Sequence, residues 1–96
     1  MLILTRYNGQ RIVVIAPDDQ ELWITADEHG LAVDIGAISD NMAWQESSEY
    51  ELAGETIIVC HMMTTGRNKP QHRIGIEAPK DYVILREELI KSGETT

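Results

Sequence analysis

The sequence predicts a mainly β chain closed by a short C-terminal helix. Three observations carry this: β-branched and aliphatic runs recur along the chain, turn residues separate them, and strong helix formers gather only near the end. Leu2-Ile3-Leu4-Thr5-Arg6 and Arg11-Ile12-Val13-Val14-Ile15 are the first two runs, and Asn8-Gly9 between them supplies positive φ cheaply, so a hairpin is expected. Ala16-Pro17-Asp18-Asp19 has turn chemistry and ends the second strand. Further on, Thr56-Ile57-Ile58-Val59-Cys60-His61-Met62-Met63 and His72-Arg73-Ile74-Gly75-Ile76-Glu77 flank the polar loop 64–70 as another hairpin. Ala78-Pro79-Lys80-Asp81 then turns the chain into Tyr82-Val83-Ile84-Leu85, a fifth strand. Arg86-Glu87-Glu88-Leu89-Ile90-Lys91 has acids where a helix dipole favours them, and Ser92-Gly93 stops it. The tail beyond is expected to fray.

Between the second and third of these strands lies an acidic insertion, about residues 17–55. Within it, Leu22-Trp23-Ile24-Thr25 and Leu31-Ala32-Val33-Asp34-Ile35 read as a hairpin around Glu28-His29-Gly30. From Ser39 to Leu52 the pattern fits two readings: a short helix stopped by Gly54, or a loop anchored by Trp44.

A chain of 96 residues, 43% of them hydrophobic, has material for one domain spanning residues 1–96. Domains of this size bury only about 60 to 65% of their unfolded surface, so an oligomer is expected to supply the rest. No segment approaches the roughly 20 apolar residues of a spanning helix. The start also lacks the basic-then-apolar order of a signal peptide, so a cytoplasmic location away from membranes is expected. Cys60 is the single cysteine, which excludes an intrachain disulfide and a multi-thiolate zinc site; a small buried hydrophobe in a strand is its expected role. His29, His61, His72 and Cys60 match no metal-site spacing, and no phosphate loop, nucleophile elbow or carboxylate pair stands out. Neither a metal, a cofactor nor a catalytic residue is expected, and the chain does not read as an enzyme.

The formal net charge of -8 opposes nucleic-acid binding at first sight, because Lys and Arg drive that association. The distribution reverses the argument. All eight basic residues fall outside 12–66, whereas segment 18–56 holds eleven of the sixteen acids, which leaves the flanks at +3 and the middle at -11.

Two blocks of the flanks, Met1-Leu2-Ile3-Leu4-Thr5-Arg6 and Arg73-Ile74-Gly75-Ile76-Glu77-Ala78-Pro79-Lys80 running on to Arg86-Glu87-Glu88-Leu89, resemble the carbon storage regulator family of bacterial RNA-binding translational regulators. With Gly9, the match covers about half the chain. The resemblance implies a five-stranded antiparallel module with a short C-terminal helix, built as an intertwined homodimer in which the first strand of one subunit pairs with the last strand of the other. It further implies binding to GGA-containing hairpin loops in messenger or small RNA, with translation repressed or message stability altered. Carried over by position, the RNA surface comprises Leu4, Thr5 and Arg6 with Ile84, Leu85 and Arg86. Guanidinium groups pair bidentately with phosphate or guanine edges, and strand edges accommodate unstacked loop bases. Tyr7 stands where a second basic residue is common and Leu85 where a His is common. The first exchange removes a phosphate contact, lowering affinity and flattening its salt dependence, although Tyr can stack on a base.

Three roles are open for the insertion: reshaping the assembly, shielding the basic site with carboxylates, or serving as an acidic module for a protein partner or antagonist, with Trp23 and Trp44 as anchors. The last two would make the protein self-shielded or inactive toward RNA. Without any Phe in the chain, both tryptophans are expected in the core, and exposure of either ring favours the interaction role.

Overall fold

Alternate residues of the strands point into one shared interior, and that parity organises the fold. The computed structural model describes residues 1–89, with nine strands among them: β1 (Leu2–Tyr7), β2 (Arg11–Ile15), β3 (Glu21–Ala26), β4 (Gly30–Ile35), β5 (Ile38–Ala43), β6 (Ser47–Leu52), β7 (Glu55–Thr65), β8 (Gln71–Glu77) and β9 (Val83–Arg86). They form two antiparallel sheets, β1-β8-β7-β6 and β5-β4-β3-β2-β9. Ile12, Val14, Leu22, Ile24, Leu31 and Val33 from the second meet Leu4, Ile57, Val59, Ile74 and Ile76 from the first in one cluster. Such two-sided burial is the main favourable term in folding.

The chain changes sheets three times. Residues 8–10 carry it out of β1 into β2, residues 44–46 carry it back from β5 into β6, and residues 78–82 lead from β8 to β9. In the last crossing Tyr82 is buried and its hydroxyl donates to the Leu52 carbonyl at 2.6 Å. The expected β1–β2 hairpin is therefore not formed. Its turn exists, with Gly9 at φ +87° and Gln10 N–H donating to Tyr7 O at 3.0 Å. But β8 takes the edge of β1, in a register running from Leu2 opposite Ile76 to Tyr7 opposite Gln71, while β3 and β9 take both edges of β2.

The insertion is integral to the core. Leu22, Ile24, Ala26, Leu31, Val33, Met42 and Leu52 belong to it, and they are seven of the sixteen buried residues of the cluster. The β3–β4 hairpin appears as expected. Segment 39–52 is neither helix nor anchored loop: it contributes β5 and β6, which lie in different sheets and are tied by a hydrogen bond from the Tyr50 hydroxyl to Asp40 Oδ2 at 2.7 Å. Burial and the Asp40 carboxylate push the Tyr50 phenol up to about 12.

Cys60 and the tryptophans depart from expectation. Cys60 is half-buried on the outer face of its sheet with Met1 Sδ at 3.8 Å, because Val59 and His61 take the inward parity. Neither Trp lies in the core, which Ile, Leu and Val fill. Trp23 is half-buried on the outer face under the Arg11 guanidinium, 4.1 Å from the ring centroid, and Trp44 is 45% exposed. Residues 87–89 are helical, whereas residues 90 and 91 of the expected helix, its Ser92-Gly93 stop and the tail lie outside the described residues. No helix among the described residues is long and apolar enough to cross a membrane.

At the β4 start, a Cβ on Gly30 would sit 1.9 Å from the Met42 carbonyl oxygen of the neighbouring strand, at φ +152°. At Gly36 nothing lies within 4 Å and φ is +57°. In urea unfolding, Gly36→Ala is expected to cost about 1 kcal/mol. Gly30→Ala should cost more than about 3 kcal/mol, because backbone must move to admit the methyl.

Candidate nucleic-acid interface

Edge strands β1 and β9 belong to different sheets, and the structure joins them through one ion pair. Leu2, Leu4 and Arg6 share the inward parity of β1, so Arg6 turns into the seam and is only 2% exposed. Its Nη1 and Nη2 donate to the two carboxylate oxygens of Glu88, two residues beyond β9, at 2.9 and 2.5 Å. Its Nε is buried with no partner among the described residues. Hydrogen bonding by Arg6 holds the Glu88 carboxyl below its ordinary value, and the charges of Arg6 and Arg86 act in the same direction. Of the two arginines singled out in the sequence, Arg6 is thus hydrogen-bonded to this carboxylate, and Arg86 acts on it through its charge.

The other expected residues divide by parity. Leu4 belongs to the core and Ile84 packs against it. Thr5 is exposed on the outer face, opposite Arg73. Leu85 lies opposite Val13 on the outer side of its sheet, and Arg86, partly exposed, lies opposite Ile12. Arg11, besides covering Trp23, pairs with Glu87 at 3.2 Å. The pairing of first strand with last has no counterpart within the chain, where β1 pairs with β8 and β9 with β2.

Below Tyr7, at the end of the sandwich, lies a polar chain that sequence reasoning missed. His61 and His72, 2% and 0% exposed, approach with Nε2 of the first 2.9 Å from Nδ1 of the second. Gln45 N–H donates to His61 Nδ1 at 3.0 Å, and His72 Nε2 lies 2.6 Å from Asn8 Oδ1. These contacts fix the tautomers. His61 accepts at Nδ1 and donates from Nε2 to His72 Nδ1, and His72 donates from Nε2 to Asn8. A bulge at Met62 shifts the β7 register between His61 and Met63, bringing Thr64 instead of Met63 to the inward side. The Thr64 hydroxyl consequently sits 3.1 and 3.0 Å from the two imidazoles. The available signal was parity: His61 continues the inward alternation of Ile57 and Val59. Among the described residues no group of three or more His, Cys, Asp or Glu is arranged to hold a metal.

Comparison with protein-family models, with curated proteins and with solved structures finds no match.

Burial lowers the pKa of both His61 and His72, so the folded protein resists protons that the unfolded chain accepts near pH 6.5. Stability should hold above about pH 7 and fall below about pH 6.5, by up to about 1.4 kcal/mol per pH unit for each histidine. The Glu88 contribution, from a depressed carboxyl, is present above its ordinary value of 4.5 and lost at more acid pH. Urea midpoints are therefore expected to drop between pH 7.5 and 5.5, before the ion pair titrates.

Proposed function

We propose that this protein is an RNA-binding post-transcriptional regulator of the carbon storage regulator type, recognising GGA-containing hairpin loops at the β1–β9 seam. The observation that carries the reading is the seam itself: Arg6 of β1 is ion-paired to Glu88, two residues beyond β9, and Arg86 at the end of β9 acts on the same carboxylate through its charge. A guanidinium that holds a carboxylate, with a second and partly exposed guanidinium at the same edge, has the charge and donor chemistry for a phosphate or guanine edge. Arg86, Thr5 and Leu85 are the direct contacts, and Arg6 supports them from the interior, held by Glu88. Within the chain β1 pairs with β8 and β9 with β2, and among the described residues each strand keeps one free edge.

Strand order also answers the net charge. The acids on β5, β6 and their connection, Asp40, Glu46, Glu49 and Glu51, lie on the far edges of the two sheets. Four strand spacings separate β5 from β9 and three separate β6 from β1. At about 4.8 Å per spacing these are about 19 and 14 Å, beyond the screening length of about 8 Å at physiological ionic strength. These four acids therefore weigh little on the seam. A second reading, a protein-interaction module inactive toward RNA, draws on the exposure of Trp44.

Titration of a labelled GGA-loop hairpin against a scrambled-loop control at two salt concentrations tests the proposal. Specific, salt-sensitive binding is expected, and Arg86→Ala should weaken it by about 1 to 3 kcal/mol. Wild-type affinity in that variant would remove the site, and no binding at either salt would favour the protein-interaction module. Neutralising Asp40, Glu49 and Glu51 to amides should change affinity less than about twofold at physiological salt, rising only when salt is lowered and screening relaxes.

A further inference from the structure

Trp44 is the largest side chain that the fold leaves half in solvent, and it borders a cleft of about 420 Å³ lined by Trp44, Gln45, His61, Thr64, Gly66 and Pro70. This volume is at the low end of small-molecule sites, the scale of one flat group and not of an extended ligand. The ring is held in position. His61 stacks on it with 14° between planes, His72 touches it at 52°, and Gln45, at φ +65°, is pinned to His61 by its own N–H. Because the imidazoles are neutral and already hydrogen-bonded to each other, they form a rigid floor and carry no charge into the cleft.

The surroundings select the occupant. Among the described residues no acid lines the cleft, and the neighbouring Glu46 carboxylate accepts from the Ala43 N–H at 2.7 Å. Beyond Gly66 the loop carries Arg67 and Lys69, both exposed. Lys69 Nζ lies 4.2 Å from the centroid of Tyr7, the last residue of β1, which places this cation between the Gly66–Pro70 side of the cleft and the outer face that bears Thr5. An aromatic ring, a side-chain amide and a hydroxyl beside two cations suit a base with its phosphate.

We propose that this cleft binds one unpaired RNA nucleotide flanking the hairpin, its base stacked on Trp44, hydrogen-bonded by Gln45 or Thr64, and its phosphate met by Arg67 and Lys69. The inference rests on the RNA-binding reading of the seam and extends it to a second contact, to which the insertion contributes Trp44 and Gln45.

The test compares a bare GGA-loop hairpin with the same hairpin carrying six unpaired nucleotides on its 5′ or 3′ side. One extension is expected to tighten binding by about 5- to 100-fold, the range for stacking of one base. Trp44→Leu should abolish that gain while leaving bare-hairpin affinity within about twofold, and Trp44→Phe should retain most of it, since a ring still stacks. In a Trp23→Phe background, Trp44 emission should be quenched by the extended hairpin and not by the bare one. Equal affinity for bare and extended hairpins without quenching would overturn the inference and leave the seam intact. Quenching by the extended hairpin without affinity for the bare one would support the cleft and sink the seam. Absence of both would overturn both and leave the cleft to a protein partner. Thermal unfolding of each variant separates loss of the contact from loss of the fold.

Discussion

The hydrogen-bonded pair of neutral imidazoles, His61 and His72, couples the two places where the chain leaves one sheet for the other at the Trp44 end. Gln45 belongs to the 44–46 crossing and Asn8 to the 8–10 crossing, so the line from Gln45 through His61 and His72 to Asn8 runs across the whole end of the sandwich. Each donor in it has one acceptor, and burial makes any other protonation state costly. Asn8 also follows directly on β1, whose register against β8 places Leu4 in the core and Arg6 in the seam. A polar line with a buried centre thus closes the end of the sandwich from which β1 departs.

At the seam itself the balance is between desolvation and pairing. A guanidinium 2% exposed is tolerable because both terminal nitrogens meet carboxylate oxygens, and because Glu88, at 55% exposure, keeps the pair in contact with water. The unpartnered Nε is the residual cost of this arrangement. On the opposite side the sheets are tied by a lighter contact, Tyr50 to Asp40, in acidic surroundings. The sandwich therefore has a cationic and an anionic seam, and the strand order keeps them apart.

Much of this was legible in the residues. β1, β2, β7, β8 and β9 announce themselves as β-branched runs, and the β3–β4 hairpin by alternation around Gly30. β5 and β6 did not, because Met42 is the single buried residue of the first and Leu52 of the second, which leaves little periodicity to read. The β1–β2 turn was recognised, but not its consequence: turn chemistry is local, whereas the sheet a strand joins depends on which distant strand takes its edge. The same limit applies to the site. Arg6 and Arg86 were singled out by resemblance, and the pairing of Arg6 with Glu88 needed the topology. Trp23 and Trp44 were expected inside for want of Phe, yet aliphatic side chains fill the interior, and the rings serve the surface.

The insertion supplies much of the interior that the flanking strands share. Its strands add the burial that the five flanking strands lack, and β1 and β9 find their partners at home. On the proposed reading this changes valency. An intertwined dimer with two equivalent edges can hold two hairpins of one transcript and gain avidity from their effective concentration, often 10²-fold or more. A chain acting alone would offer one such edge, so its occupancy would follow the affinity of a single hairpin and be insensitive to how many such loops the message carries.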